Sequence, residues 1–311
     1  MHNRIFSFDS FITEYKSDGI NSLTSNNMDE LKEQILSTIK NRKQLKIVIN
    51  NLETELFDYN RKLKRRLFFP FGKKLFKTKI EFLNQQIRKY EVELVEKKEE
   101  LKNSIVEIHS PTSENVQSYL KKLVDCFRSL SQSEFIWDIT TSQLIDRVKT
   151  RSYASNAVNR KRVNIFFSKV DMIKTEEEAF HFQNANGGDI YIYPTLLIIV
   201  SSNKEFALID YKDVQLEYNN SQFVEEEKFP SDSKQIGTTW AKVNKDGSRD
   251  KRFTNNYRIP IAQYGQLQWR SIKGFNEVYQ FSNSDAAEGF QKSFTEYKSS
   301  LAQGVPSLTR Q

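Results

Sequence analysis

Two heptad patterns between residues 28 and 108 constrain the fold of this chain more than any other feature of its sequence. With Met28 at heptad position a, nine of the twelve a and d positions up to Arg66 are apolar. A second pattern, from Phe76 to Ile108, has eight apolar residues at ten such positions. Because so narrow an apolar stripe is buried only against another stripe, each pattern predicts a helix that packs lengthwise against a partner.

The interruption between the two patterns predicts a turn. The segment Leu67–Lys73 contains Pro70 and Gly72, which both disfavour a continuous helix. Helices over residues 28–66 and 74–108 would have similar lengths, roughly 50–60 Å at 1.5 Å per residue. We therefore expect a long antiparallel coiled-coil hairpin with this turn at its tip.

Two charged residues, Arg42 and Lys97, stand at seam positions of these patterns. A charged side chain is costly in a closed two-helix seam. The two residues therefore favour a seam that is partly open or that meets acidic side chains of another chain. We expect a protein partner or a homo-oligomer through the coiled coil.

The predicted turn also carries an unusual concentration of positive charge. The chain has 47 Lys and Arg against 40 Asp and Glu, a net charge of +7. Arg61–Lys79, which we call the basic-aromatic segment, holds nine of these basic residues and no acidic one, so the rest of the chain has 38 basic and 40 acidic residues. The candidate binding residues of the segment are Arg61, Lys62, Lys64, Arg65, Arg66, Phe68, Phe69, Phe71, Lys73, Lys74, Lys77 and Lys79.

The sequence leaves several ligands open for the basic-aromatic segment. Nucleic acid is the leading one, because Lys and Arg neutralise phosphates while aromatic rings stack on exposed bases. An anionic membrane surface or an acidic groove of a partner protein would also match cations mixed with apolar side chains. Alternatively, the apolar side chains pack onto the protein itself or a second subunit. We expect a non-enzymatic binding or scaffolding protein that engages a polyanion.

From about Val163 the sequence changes from helical periodicity to the alternation of β-strands. Few helical stretches separate the strands, so we expect a mainly antiparallel β domain, a small barrel or sandwich, within an α+β protein. A final helix over Asp285–Leu301 has Ser284 as its predicted N-cap. The predicted strands are Val163–Val170, Ile190–Val200, Glu205–Tyr211, Val214–Tyr218, Gln235–Val243, Ile259–Arg270 and Glu277–Phe281.

Weaker signals complete the predicted organisation. A short helix is expected around Ile5–Tyr15, and residues 113–150 are expected to be helical, with a separate helix over Ser142–Lys149. The predicted domains are an N-terminal segment (1–27), the hairpin (28–108), a helical connector (109–160), the β-rich domain with its C-terminal helix (161–303) and a tail (304–311).

An enzymatic alternative depends on Asp189, Asp210 and Lys212. An acid at the start of one strand and an acid-x-Lys pair at the end of a later one are typical of Mg²⁺-dependent nucleases, in which the acids hold the metal and the lysine positions water. The commoner interpretation is that Asp210 flanks a turn and Lys212 is solvated. We therefore predict no catalytic residue, no metal and no cofactor.

Other chemistries find little support in the sequence. Cys126 is the single cysteine, which excludes an intrachain disulfide and a multi-cysteine metal site, and we expect it in the core. His181 is expected to be a packed or hydrogen-bonded side chain. Asn244–Asp250 contains several oxygen-bearing side chains before and after a glycine, as calcium-binding loops do. Lys242 would occupy the first ligand position, however, so a turn is predicted.

No apolar run approaches the roughly 18–20 residues of a membrane-spanning helix, and the N-terminus lacks the features of a signal peptide, so we expect a cytoplasmic protein.

Four stretches of the C-terminal half resemble a known module. They read IYIYPTLLIIV, FALIDYKDV, TTWAKVNKDGSRDKRFTNN and IPIAQYGQL. Together they resemble a β-rich C-terminal module of bacterial proteins, some of which are encoded among mobile-element and phage-defence genes. The resemblance covers residues 180–295. It implies a bacterial cytoplasmic origin and a role as an accessory component of antiviral defence, and it assigns no catalytic residue.

Overall fold

The computed structural model of the chain describes residues 12–111, 113–202 and 204–303, apart from the side chain of Val148. It contains helices and antiparallel sheets, so the mixed α and β composition expected from the sequence is confirmed. The described residues form two compact units. The first consists of the residues up to Asp29, His109–Val170 and those from Thr175 onward, and the second of Glu30–Ile108 with Asp171–Lys174.

The elements of the described residues are numbered here in chain order. The helices are α1 (Asp29–Phe68), α2 (Gly72–Leu75), α3 (Lys77–Asn103), α4 (Glu114–Ser131), α5 (Arg147–Thr150) and α6 (Ser284–Gln303). The strands are β1 (Ile12–Glu14), β2 (Val106–Ile108), β3 (Ile136–Leu144), β4 (Asn156–Arg162), β5 (Ile165–Ser168), β6 (Ile173–Thr175), β7 (Ala179–Phe182), β8 (Asp189–Ile192), β9 (Leu196–Ser202), β10 (Glu205–Asp210), β11 (Val214–Val224), β12 (Lys234–Trp240), β13 (Arg258–Ser271) and β14 (Asn276–Phe281).

The long helices of the second unit, α1 and α3, contact each other in opposite chain directions. The ring of Tyr59 stacks on that of Tyr90 at a centroid distance of 5.3 Å, and Lys98 Nζ lies 2.7 Å from a carboxylate oxygen of Glu53. The contact partner on α3 lies later in the chain, at Lys98 instead of Tyr90, when the position on α1 lies earlier, at Glu53 instead of Tyr59. The two helices are therefore antiparallel where they meet. Buried residues of the two helices stand at predicted heptad positions: Ile49, Leu52, Leu83 and Ile87.

Arg42 was expected to lie in a partly open seam or to meet acidic side chains of another chain, but its partners are backbone carbonyls of α3 and its C-cap. Its Nη1 atom donates to the backbone oxygens of Leu101 and Ser104, both at 2.7 Å. These carbonyls lie at the C-terminal end of α3, where the last turn leaves its acceptors without intrahelical partners. Lys97, the other seam cation, pairs with Glu100 of its own helix. The acceptor for Arg42 is therefore supplied by the same chain.

Helix α3 ends earlier than predicted. The sequence pattern extends to Ile108, whereas the helix ends at Asn103 and residues Val106–Ile108 form strand β2. This strand pairs with β6 in a two-stranded sheet. The β-branched residues here fit a strand better than a helix once a pairing partner is available.

The first unit contains the two larger sheets. One has the strand order β1-β3-β14-β13-β11, with β4 also pairing β3 and β12 also pairing β13. The other has the order β10-β9-β8-β7-β5. Neighbouring strands within both sheets are antiparallel.

One aromatic cluster joins both sheets to the helices α4 and α6. The ring of Phe182, on β7, lies 5.7 Å from that of Phe127 on α4 and 6.0 Å from that of Phe290 on α6. It also lies 5.8 Å from Trp269 of the larger sheet. All four side chains are buried, and such pairs contribute about 0.5–1.5 kcal/mol beyond their buried area. Helix α4 therefore covers part of the core with its buried face.

The predicted helical connector is the largest error of the sequence analysis. Residues 136–144 form β3 in the interior of the larger sheet, 156–162 form β4, and the helix expected over Ser142–Lys149 is reduced to α5. The clustered β-branched residues of β3 favour a strand, and β14 supplies its partner. The segment therefore belongs to the first unit.

Smaller differences concern element ends. The strand predicted over Ile190–Val200 is divided into β8 and β9. The N-cap of α6 is Asn283 rather than Ser284, because the Asn283 side chain accepts the Ala286 N–H at 3.0 Å. Of the helix expected around Ile5–Tyr15, residues 12–14 form β1 instead, and residues 5–11 lie outside the described residues, as does most of the predicted tail. No helix in the described part of the chain has an apolar stretch long enough to span a bilayer.

Candidate functional site

The basic-aromatic segment exposes its apolar side chains. Phe68 ends α1 with 93% of its surface exposed, and Phe71 and Phe69, in the turn that follows, are 83% and 58% exposed. Leu67 and Leu75 are exposed as well. The described residues of the second unit therefore leave these side chains uncovered. So many large apolar side chains side by side normally mark a binding surface.

The turn is held by tight backbone contacts. Gly72 N–H donates to Phe69 O at 2.8 Å, and a Cβ atom at Gly72 would lie 2.0 Å from Arg66 O, so this position requires glycine. Phe71 has a φ angle of +60°, in the left-handed region that glycine or asparagine normally occupies. The turn thus has glycine at position 72, where no Cβ atom would fit. It has phenylalanine at position 71, although the left-handed backbone there disfavours a bulky residue.

The cations of the basic-aromatic segment are largely uncompensated. Among the described residues, Arg61 is the one member of the nine that pairs with a carboxylate, that of Asp58 at 3.0 Å. Lys62 lies over the ring of Tyr59, 5.1 Å from its centroid. Since the segment contains no acid, its field is strongly positive and attracts anions.

A second basic region, which the sequence analysis did not identify, lies in the first unit. Residues 147–151 and 240–258 meet where Val243 N–H donates to Arg151 O at 3.1 Å. We call their cations the second basic surface: Arg147, Lys149, Arg151, Lys242, Lys245, Arg249, Lys251, Arg252 and Arg258. The two stretches contain nine basic residues and two acidic ones, which leaves 29 basic and 38 acidic residues outside both basic regions.

Asp250 is a buried acid that binds two arginines of the second basic surface. Its buried carboxylate accepts hydrogen bonds from Arg252 at 2.8 and 2.9 Å and from Arg151 at 2.8 Å. The hydrogen bonds from Arg252 and the charge of both guanidinium groups lower the pKa of Asp250 to about 2. Aromatic rings lie among the cations: the guanidinium carbons of Arg249 and Arg258 are 4.9 and 5.2 Å from the ring of Trp240.

The second basic surface has no direct signal in the sequence because its two halves are far apart along the chain. The stretch 147–162 contains no acidic residue, and this composition is the one sequence feature that indicates a basic surface here. Asn244–Asp250 forms a turn, as predicted: Asn244 N–H donates to Ser248 O at 2.8 Å, and Gly247 has a φ angle of +84°. The contribution of this turn to a charged surface depends on tertiary contacts alone.

The structure does not bring the nuclease candidates together. Asp189 pairs with Val200 and Asp210 with Leu196, on opposite sides of β9. These pairing positions are four residues apart, about 13 Å along a strand, whereas two oxygens on one Mg²⁺ are at most about 4 Å apart. The alternative of one metal site shared by Asp189 and Asp210 is therefore wrong.

Local structure accounts for the nuclease candidates. Asp210 accepts the Lys212 N–H at 2.9 Å as the N-cap of a 3₁₀ turn, Tyr211–Asp213. Asp189 lies 2.9 Å from His181 Nε2, and the His181 ring stacks on Tyr191 at 4.2 Å. Burial opposes ionisation of Asp189, but hydrogen bonds from His181 and Asn184 outweigh it and lower the pKa. The predicted packed role of His181 is confirmed.

Two buried carboxyl groups lie in the first unit beneath the loop that follows β7. Asp138 accepts the Ala185 N–H at 2.7 Å, and Glu277 accepts Ser17 N–H at 3.1 Å and its hydroxyl at 2.5 Å. Burial raises the pKa of Glu277 to about 7, and the charge of Asp138 adds to this shift. Burial also raises the pKa of Asp138. The pair therefore resists full ionisation at neutral pH.

Among the described residues, no three His, Cys, Asp or Glu side chains are placed to hold a metal ion. Comparison of the chain with protein-family models, with curated proteins and with solved structures finds no match. The basic-aromatic segment and the second basic surface are thus the features whose geometry bears most directly on function.

Proposed function

We propose that this protein binds single-stranded nucleic acid, with the basic-aromatic segment as a principal contact. Cations of the segment would neutralise phosphates, and the exposed rings of Phe68, Phe69 and Phe71 would stack on unpaired bases. The helices α1 and α3 would act as a coiled-coil arm that carries the segment. In this proposal the protein is a binding or scaffolding component without catalytic activity of its own, and phage defence is the setting that the module resemblance favours.

The observation that carries the proposal is the conformation of Phe71. A left-handed backbone costs a bulky residue roughly 1–2 kcal/mol, and burial of the ring does not offset this cost because 83% of Phe71 is exposed. Strain of this kind is typical of functional sites. The Phe71 ring is not buried, and phenylalanine is unfavourable in this turn conformation. Contact with a ligand would account for a phenylalanine at this position.

A second basic surface with aromatic rings favours nucleic acid over the other polyanions. Tyr153 and Tyr257 are exposed beside its cations, at 41% and 59%. A polynucleotide offers phosphates and bases to both surfaces, which explains why each of them mixes cations with rings. An anionic membrane is the second candidate, favoured by the adjacent exposed apolar residues Phe68, Phe69, Phe71 and Leu75.

Salt-dependent binding tests the proposal with two charge-matched variants of the full chain. The first replaces six cations of the segment by Gln: Arg65, Arg66, Lys73, Lys74, Lys77 and Lys79. The control replaces six exposed cations elsewhere on α1 and α3 by Gln: Lys40, Lys43, Lys46, Arg88, Lys89 and Lys102. Fluorescence anisotropy with a labelled single-stranded 20-mer gives the affinity at several NaCl concentrations.

The segment variant should bind at least about tenfold more weakly at moderate salt, and its slope of log affinity against log salt should fall by about 0.7 for each lost phosphate contact. The control variant should stay close to wild type. Equal affinities and slopes for wild type and the segment variant would reject the segment as the contact. Flotation of the protein with anionic vesicles, together with no binding to the 20-mer, would replace nucleic acid by a membrane surface.

A further inference from the structure

The larger sheet of the first unit holds a cavity of about 390 Å³. Its wall comes from β3, β4, β11, β13 and β14 and from residues around Tyr15 and Tyr153. The sheet bends far enough for its outer strands to meet there, since Arg160 of β4 donates to Glu225, which directly follows β11. A volume of this size falls within the range of small-molecule sites.

The cavity has an uncharged but polar lining. Its lining residues include no Asp, Glu, Lys, Arg or His. Primary amides and hydroxyl groups are found there together with apolar side chains such as Ile139 and Phe223. The polar members are Tyr15, Ser142, Tyr153, Ser155, Asn156, Ser221, Gln222, Gln266 and Gln280. Such a lining fits a flat, neutral ligand with hydrogen-bonding edges better than an ion.

Two of the amides lie side by side. Gln266 and Gln280 are register partners on β13 and β14, so their Cβ atoms are about 5 Å apart. Gln280 is held at both ends, because its Nε2 donates to Ser221 Oγ at 3.2 Å and its Oε1 accepts from Arg160 at 3.4 Å. Glutamine amides recognise the donor and acceptor edges of nucleobases.

The second basic surface borders this cavity. Arg147 lies over the ring of Tyr153, 5.5 Å from its centroid, and Tyr153 also lines the cavity. Arg147 and Lys149 are exposed, and residues 147–151 contain no acid. A neutral cavity beside a cationic rim matches a nucleotide, whose base is uncharged and whose phosphate is an anion.

We infer that this cavity receives an unpaired base of a single-stranded nucleic acid, while the second basic surface holds the neighbouring phosphates. The amides of Gln266 and Gln280 contact the base edge, and Tyr153 and Phe223 contact its faces. The choice of ligand rests on the proposed function, but the cavity and the basic-aromatic segment consist of different residues. Separate variants therefore test them.

The test compares a single-stranded 12-mer with a 12-mer of abasic residues, which keeps the phosphates and lacks the bases. The variant Gln266→Leu removes the free amide, and Gln215→Leu is its control because Gln215 is an exposed glutamine on β11 outside the cavity. Relative to wild type, Gln266→Leu should lose about tenfold in affinity for the base-bearing 12-mer and nothing for the abasic one. Gln215→Leu should change neither affinity.

An unchanged affinity of Gln266→Leu for the base-bearing 12-mer, with an unchanged thermal midpoint, would overturn the inference. An equal loss for both 12-mers would overturn it as well, since the amide would then act without a base. Adding Gln266→Leu to the six-Gln variant of the basic-aromatic segment separates the two proposals. If the segment variant alone binds like wild type, the proposed function of the segment fails, while a base-dependent loss from Gln266→Leu still supports the cavity.

Discussion

Arg160 Nη2 donates to both carboxylate oxygens of Glu225, at 3.1 and 2.9 Å, and the Arg160 guanidinium lies between two aromatic rings. The ring centroids of Trp137 and Phe223 are 4.1 and 4.0 Å from its central carbon. Tyr264 Oη donates to the same carboxylate at 2.6 Å. This buried pair connects β4 to the end of β11 and thereby holds the wall of the cavity.

Removing one partner of this pair should destabilise the protein strongly. Glu225→Gln leaves the Arg160 charge buried without a counter-ion, and we expect the free energy of unfolding to fall by about 3–5 kcal/mol. Urea denaturation followed by circular dichroism measures the change. Asp285→Asn is the control, because the Lys234–Asp285 pair is well exposed and should contribute at most about 1 kcal/mol. Similar losses in the two variants would contradict the role given to burial.

Glu277 should make stability depend on pH. Its pKa is about 7 in the folded protein against 4.5 for the free side chain, so between these pH values the folded state holds a proton that the unfolded state has released. Stability is therefore highest below about pH 4.5 with respect to this group and falls by up to about 3 kcal/mol as the pH rises to about 7 and above. The charge of Asp138, on the neighbouring strand β3, contributes to the shift in the same direction.

Glu277→Gln tests this dependence because glutamine imitates the protonated acid. The variant should be within about 1 kcal/mol of wild type in stability at pH 5 and exceed it by more at pH 8, as measured by chemical denaturation at both pH values. Glu217→Gln, at an exposed position of β11, should leave the difference between the two pH values unchanged. A wild-type stability that does not fall between pH 5 and pH 8, after correction for the control, would contradict the raised pKa.

Asp250 should hold the two halves of the second basic surface together. Asp250→Asn weakens the hydrogen bonds from Arg151 and Arg252, and we expect amide hydrogen exchange to accelerate in residues 147–153 and 240–258. Asp246→Asn is the control, since Asp246 is exposed and bonds locally to Ser248. Because the pKa of Asp250 is lowered to about 2, acidification toward that pH should reduce the protection of the same residues in wild type, measured as the exchange rate relative to the intrinsic rate at each pH. Unchanged exchange in Asp250→Asn would show that other contacts fix the surface.

The sequence predicted elements with strong local signals and failed where tertiary contacts decide the structure. The helical periodicity around Leu52 and Leu83 located two long helices, and alternation located the strands around Leu267. The periodicity of a short segment such as Ile136–Leu144 is ambiguous, and only pairing with β14 determines that it is a strand.

The candidate site shows the same division. The basic-aromatic segment is continuous in sequence, so its composition was visible. The second basic surface depends on Arg151 meeting Asp250, 99 residues later, and the cavity depends on amides from separate strands. The Asp189–Asp210 hypothesis failed for a related reason, because spacing along the chain does not specify at which end of a sheet each carboxylate lies.

Replacing Phe71 by glycine should stabilise the fold and weaken the binding of single-stranded nucleic acid. Phe71→Gly removes a left-handed conformation that disfavours phenylalanine, and after the entropy cost of glycine we expect the free energy of unfolding to rise by about 1 kcal/mol. Phe68→Gly is the control: Phe68 is equally exposed but ends a right-handed helix, so glycine there should lower stability by about 0.5–1 kcal/mol. Both variants should bind the single-stranded 20-mer more weakly, because each loses a stacking ring. Denaturation and anisotropy on the same samples measure the two effects, and a Phe71→Gly protein that is stabilised but binds like wild type would remove the functional reason for the strained phenylalanine.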